Sequence, residues 1–160
     1  MTPFNVAIVR WVRGGLTFSG RATRSEYWWP RLLVFCVNLL CLSVFVSAIG
    51  PDGMEALVVW LESDNPTLDS LELAPLNTAA KFSLVFVLVF GLLTFLPDLA
   101  VTWRRFHDLG QPGWIHLIFF VIGALMPIIA LAEYIWLALP GQKYSNRYGP
   151  DPLNTDPDIF

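Results

Sequence analysis

Charge is scarce in this chain. Of its 160 residues, 14% are Asp, Glu, Lys or Arg and 55% are hydrophobic, whereas an average soluble domain carries roughly 25% charged residues. A soluble domain this small has a large surface to cover with polar groups. These residues cannot cover it, which excludes an ordinary water-soluble globule. Cysteine is nearly absent: Cys36 and Cys41 lie in one apolar run, too far apart on a helix for a disulfide, which needs α-carbons about 4.4–6.8 Å apart. They read as small apolar fillers and report no redox compartment. Histidine is limited to His107 and His116, too few for a structural zinc site, so no metal or cofactor is expected. The net charge of −3 gives no reason to expect a nucleic-acid partner. The length suits one domain, without internal repeats or low-complexity segments.

What the sequence has is long apolar runs. Leu32 to Ile49 holds no charge, covers about 27 Å as a helix, and is extended by Trp28-Trp29 as an interfacial anchor, giving a span over about 28–49. Roughly thirty residues precede it, too many for the short basic segment of a signal peptide, so it reads as a retained span. Gly50-Pro51 ends it. The connection 50–81 is acidic and polar; within it Met54 to Leu61 suits a short helix on the membrane surface, and Asn65-Pro66 a break. Phe82 to Trp103 is the second span, with Pro97 predicting a kink near one end. Trp114 to Leu139 is a third run, with Pro127 near its middle. It reads as one tilted span kinked at Pro127, because each half alone would reach about 18 Å against an apolar core of about 30 Å; a re-entrant hairpin folded at Pro127 is the alternative. Before the first span, Phe4, Ile8, Trp11 and Val12 recur at helical spacing beside Arg10 and Arg13. This is a helix lying in the headgroup plane or one packed on the protein's own bundle. The expected fold is therefore all-α and polytopic, with three transmembrane helices and an N-terminal interfacial helix, in one membrane domain over 1–152 followed by a tail over 153–160.

Arginine distribution sets the orientation. Arg10, Arg13, Arg21, Arg24 and Arg31 precede or open the first span, Arg104 and Arg105 follow the second, and 51–80 holds no Lys or Arg. Positive residues stay in the cytoplasm, which places the amino terminus and the Arg104 loop inside. Three spans then carry the carboxyl terminus outside.

Polar motifs stand at the ends of the spans. The first runs Gly20-Arg21-Ala22-Thr23-Arg24-Ser25-Glu26-Tyr27-Trp28, the second Arg104-Arg105-Phe106-His107-Asp108 and on to Gly113-Trp114, and the third Asn146-Arg147-Tyr148-Gly149. In this order the three resemble the bacterial inner-membrane family called domain of unknown function 805, over about Phe18 to Pro152. The resemblance implies a small multi-span protein of the inner (plasma) membrane and supplies no reaction. The connection between the first two spans is longer than expected of that family, and Asp98 and Phe106 stand where an uncharged residue and a leucine are expected.

The motifs also read on their own chemistry. Thr23 or Ser25 suits a helix cap, with Glu26 favoured in the first turn by the helix dipole. The arginines either hold the segment inside, with Tyr27, Trp28 and Trp29 setting its depth, or match the phosphate of an anionic lipid or an acidic partner segment. His107 beside Asp108 suggests a general base, but the loop offers neither nucleophile nor metal, so no enzyme is expected. Asp108 and the arginines instead suit a salt-bridged turn against Gly20–Glu26. Asn38, Asp98 and Glu133 lie within spans, where polar groups face the interior and pair; Asp98 is within reach of Arg105 or Arg31. The leading expectation is a structural or interaction subunit binding a membrane-protein partner, lipid or a second copy of itself. The alternative is an oligomeric transporter or proton-coupled pore using Asp98 and Glu133.

Overall fold

The structure is a computed structural model that describes residues 2–63 and 78–153. Among the described residues five helices follow in order: α1 (Phe4–Arg13), α2 (Arg24–Glu62), α3 (Thr78–Asp108), α4 (Ile115–Leu125) and α5 (Pro127–Ala138). Among the described residues the only β pairing is an isolated antiparallel bridge between Asn146 and Gly149. The all-α class read from the sequence holds. Among the described residues two helices, α2 over Arg24–Glu55 and α3, are long and apolar enough to cross a membrane. The chain forms two compact units, one from the residues up to Leu33 with those from Thr94 onward, the other Val34–Leu93.

The Val34–Leu93 unit exposes large apolar side chains such as Leu40, Leu88, Leu92 and Leu93, a surface suited to lipid. Four of its described polar side chains are satisfied within their own helix, as a bilayer would demand. Asn38 Nδ2 donates to Val34 O at 2.9 Å, and the hydroxyls of Ser43, Ser47 and Ser83 return to carbonyls of their own helix. Gly50, at φ 69°, breaks α2, a conformation that costs glycine little and other residues much. Pro51 then opens a further helical stretch to Glu62, where a proline lacking N–H does no harm. The expected break at Asn65-Pro66 lies outside the described residues.

The third apolar run departs from expectation. It is not one kinked span but a helical hairpin, α4 and α5 folding back on each other about Met126. The residue before a proline is pushed out of the helical region, and Met126 is extended at φ −134°, ψ 90°. Three pairs across the turn establish the fold-back. His116 Nδ1 lies 2.6 Å from Glu133 Oε1, the rings of Phe119 and Trp136 are 5.9 Å apart, and Gly123 faces Ala130 closely. On a straight helix His116 and Glu133 would be about 26 Å apart. The legs, of 11 and 12 residues, reach only about 17 and 18 Å.

A second correction follows from the first. Because α4 and α5 fold back on each other, the segment after α5 returns to the amino-terminal motif instead of ending a span's length away from it. Arg21 Nη1 donates to Tyr144 O at 2.8 Å, which places the two together.

Candidate functional site

Thr23 and Glu26 start the site. Glu26 N–H donates to Thr23 Oγ1 at 3.2 Å and Thr23 N–H donates to Glu26 Oε2 at 2.9 Å, a capping box that closes two otherwise unpaired donors at the start of α2. Thr23, rather than Ser25, is the cap. Glu26 also pairs with Arg10 of α1. Just upstream, Ala22 N–H donates to Arg104 O at 3.1 Å, so the chain entering α2 lies against the end of α3.

The end of α3 carries Arg105 and Asp108, one helical turn apart and so on one face. The Arg105 side chain is 0% exposed and pairs with Asp108. Its Nε donates to Leu137 O at 3.0 Å, Nη2 to Leu139 O, and Nη1 to Ala22 O at 3.4 Å. The guanidinium therefore occupies the C-terminal end of α5, where unpaired carbonyls and the negative pole of the helix favour a cation. Asp108 takes a second arginine: Arg21, 1% exposed in its side chain, lies 2.9 Å from Asp108 Oδ1. Arg21 also donates to the carbonyls of Gln142 and Tyr144, and to Gly149 at 3.4 Å. Two buried cations share one carboxylate, and six backbone carbonyls take the remaining donors. Burying charge is tolerable only with such pairing. Gly141 completes the fit, since a Cβ there would stand 1.9 Å from Asp108 Oδ2.

His107 joins the third motif to the first. Its Nδ1 lies 3.0 Å from Gly20 O; a carbonyl only accepts, so Nδ1 carries the proton. The ring stacks on Tyr148 with centroids 3.7 Å apart. Asn146 Nδ2 donates to His107 O at 3.0 Å and to Gln142 Oε1 at 2.8 Å, and Asn146 Oδ1 accepts from Tyr148 N–H at 2.9 Å. The three motifs thus close into one clasp at the base of the hairpin. The imidazole has no hydrogen bond to Asp108, whose carboxylate is held by arginines, so the pair is not arranged as base and orienter. Among the described residues no three His, Cys, Asp or Glu gather as a metal site.

This arrangement decides which sequence-read residues remain available. Arg21, Arg105 and Asp108 are consumed inside the clasp, Tyr27 and Gly113 are buried, and Arg104 donates to Gly14 O at 3.4 Å. Arg24, Trp28, Trp114 and Arg147 are exposed. Sequence reasoning missed Gln142, Gly141 and the exposed Lys143 and Tyr144, which follow only from the hairpin.

The intramembrane polar groups do not converge. Asp98 reaches neither Arg105 nor Arg31 by a hydrogen bond; its Oδ1 accepts from Trp11 Nε1 of α1 at 3.1 Å. Glu133 is held by His116, and Asn38 by its own helix. Arg31 donates to Thr102 Oγ1 at 2.5 Å and lies 4.3 Å over the Tyr27 ring.

With three motifs closed into one site, the match to a known family covers their whole extent: the model of a protein family of unknown function, DUF805, matches residues 15–150. The chain belongs to the DUF805 family. Its relatives include the inner membrane protein YhaH of Escherichia coli strain K12, 30% identical over 137 residues, 84% of this chain and 86% of the relative. The inner membrane protein YhaI of the same strain is 33% identical over 136 residues, 84% of this chain and 85% of the relative. No solved structure matches this DUF805 chain. The match spans the capping box, the Arg105–Asp108 pair and the Asn146–Gly149 bridge, so the whole clasp lies inside the DUF805 region.

Proposed function

We propose that this DUF805 chain is an interaction subunit of the bacterial inner membrane, one that receives an acidic segment of a partner protein on the rim of the clasp. In this reading α2 and α3 cross the bilayer, the hairpin enters and leaves from the cytoplasmic side, and both the first motif and the 142–149 segment are cytoplasmic. All lysines and arginines except Lys81 belong to the segments at this end, which fits retention of positive charge inside.

The observation that carries the proposal is the use made of the arginines. A chain needing only to hold its topology would leave them among the headgroups. Here Arg21 and Arg105 are spent on burial against Asp108, which fixes the positions of Arg24, Lys143, Tyr144 and Arg147 at the rim, all exposed. Fixed cations lose less entropy on binding a carboxylate than mobile ones. The test is a photo-cross-linker at Tyr144 in native membranes, with and without Arg24→Gln, Lys143→Gln and Arg147→Gln together. A discrete protein adduct in the unaltered chain, lost in the triple variant at equal abundance, supports the reading. An adduct unchanged by the substitutions, or adducts to lipid alone, overturns it.

A further inference from the structure

Helix α1 has three sides, and only one is fastened to its neighbours along the length of the helix. Successive residues advance by about 100° around a helix, which puts Phe4, Ala7 and Trp11 on one side, Val9 and Val12 on a second, and Arg10 and Arg13 on a third. The first side is fastened to the two long helices. Ala7 and Trp11 are buried, Trp11 donates to Asp98, and the ring of Phe4 meets that of Trp29 edge-on at 5.5 Å. Thr2 N–H donates to Ser25 Oγ at 3.1 Å. At the far end Gly14 O accepts from Arg104, and a Cβ at Gly15 would touch Pro97. These contacts hold α1 level with the first turns of α2 and the last turns of α3, where apolar helix gives way to arginine.

Apart from the Arg10–Glu26 pair, the other two sides have no hydrogen-bonding or ionic partner among the described residues. Val12 is 61% exposed and Leu16, just past the helix end, 75%, and Val9 joins them as an exposed apolar strip. Beside it Arg13 is exposed and, among the described residues, has no ion-pair partner. Arg10 keeps 57% of its side chain exposed while paired with Glu26. The helix contains no acidic residue. An apolar strip flanked by cations, at the depth where a span ends, matches the boundary between acyl chains and headgroups.

We infer that α1 is a lipid-binding element, its Val9–Val12–Leu16 strip seated in the acyl boundary and Arg13, with the free edge of Arg10, binding the phosphate of anionic phospholipids. The occupant is the surrounding bilayer itself, selected by charge. This surface is separate from the clasp rim, so the two readings stand or fall independently.

The full-length protein, with Cys36 and Cys41 replaced by serine, is reconstituted in phosphatidylcholine alone or mixed with phosphatidylglycerol. A fluorophore at Val12→Cys reports depth, and native mass spectrometry reports retained lipid. Quenching of the fluorophore by brominated acyl chains, with protection from an aqueous quencher, is expected in both bilayers. Retained phosphatidylglycerol should fall about fivefold in Arg13→Gln, the worth of one juxtamembrane arginine, and further in Arg13→Glu, with Arg13→Lys restoring it. Among the described residues the Arg13 side chain has no hydrogen bond or ion pair, and unchanged monodispersity of each variant controls for folding. A fluorophore open to aqueous quencher, or equal phosphatidylglycerol retention by unaltered and Arg13→Glu protein, overturns the inference. Neither outcome touches the rim, because Arg24, Lys143 and Arg147 are left intact.

Discussion

The two ends of the α4–α5 hairpin are held by opposite means. At its base, two buried arginines and one aspartate tie three segments of chain together. At its tip, a proline, an extended Met126 and the close approach of Gly123 to Ala130 make the turn with no ionic group at all. Between them stands one polar pair, His116 with Glu133. Charge serves at the base, where backbone carbonyls ring it. Sterics serve where burying a charge in lipid would be costly.

That division sets an order of effects. Asp108→Asn leaves two buried guanidinium groups sharing a neutral partner, and removing one member of a buried ion pair costs about 3–5 kcal/mol. Its expected result is loss of folded protein, read as abundance and thermal stability in detergent. Gly141→Ala attacks the same contact by volume, and should cost about 1–3 kcal/mol, as overpacking does. If both were tolerated, the base would not be the stronger end. Midway, Glu133→Gln keeps the shape and leaves a neutral hydrogen bond to His116, with an expected loss of about 1 kcal/mol. A proton path through Glu133 would instead abolish a phenotype at normal abundance. At the tip, Pro127→Ala restores an N–H without removing any ion pair, and a stability change below about 1 kcal/mol is expected. A cysteine pair at Gly123 and Ala130 should still cross-link in that variant. Failure to cross-link would mean that proline, rather than the contacts along the legs, makes the turn.

The membrane character and the helical class were legible from composition, because scarce charge and long apolar runs admit few alternatives. The clasp was partly legible: Arg21, Arg105, His107 and Asp108 stood out, and a salt-bridged turn between the first two motifs was the plain chemical reading. For the third run the hairpin was legible only as the alternative to one kinked span, and a comparison of prolines explains why. Pro97 sits inside α3 without ending it, whereas Pro127 begins a new helix. Periodicity treats the two alike. What separates them is the set of side chains placed about Met126 that meet only when the run folds, His116 with Glu133 above all. Seventeen positions apart, those two polar groups would each be alone in lipid on a straight helix. That isolation was the available signal. The separation expected between the carboxyl-terminal segment and the first motif followed from reading the third run as one continuous span. The Trp11–Asp98 bond was out of reach because it depends on how α1 lies against α3, which no local pattern encodes.

Gly141 and Gln142 also bear on how such a chain is made. In the proposed topology the hairpin leaves the apolar layer by the face through which it entered, so the segment carrying Lys143, Arg147 and Asp151 never has to be threaded through the membrane during synthesis. Insertion of the last two helices then requires no translocation machinery to move charge. It requires only that the ends of α2 and α3 already be in place, so that Arg21 and Asp108 are waiting when the carbonyl of Gln142 emerges.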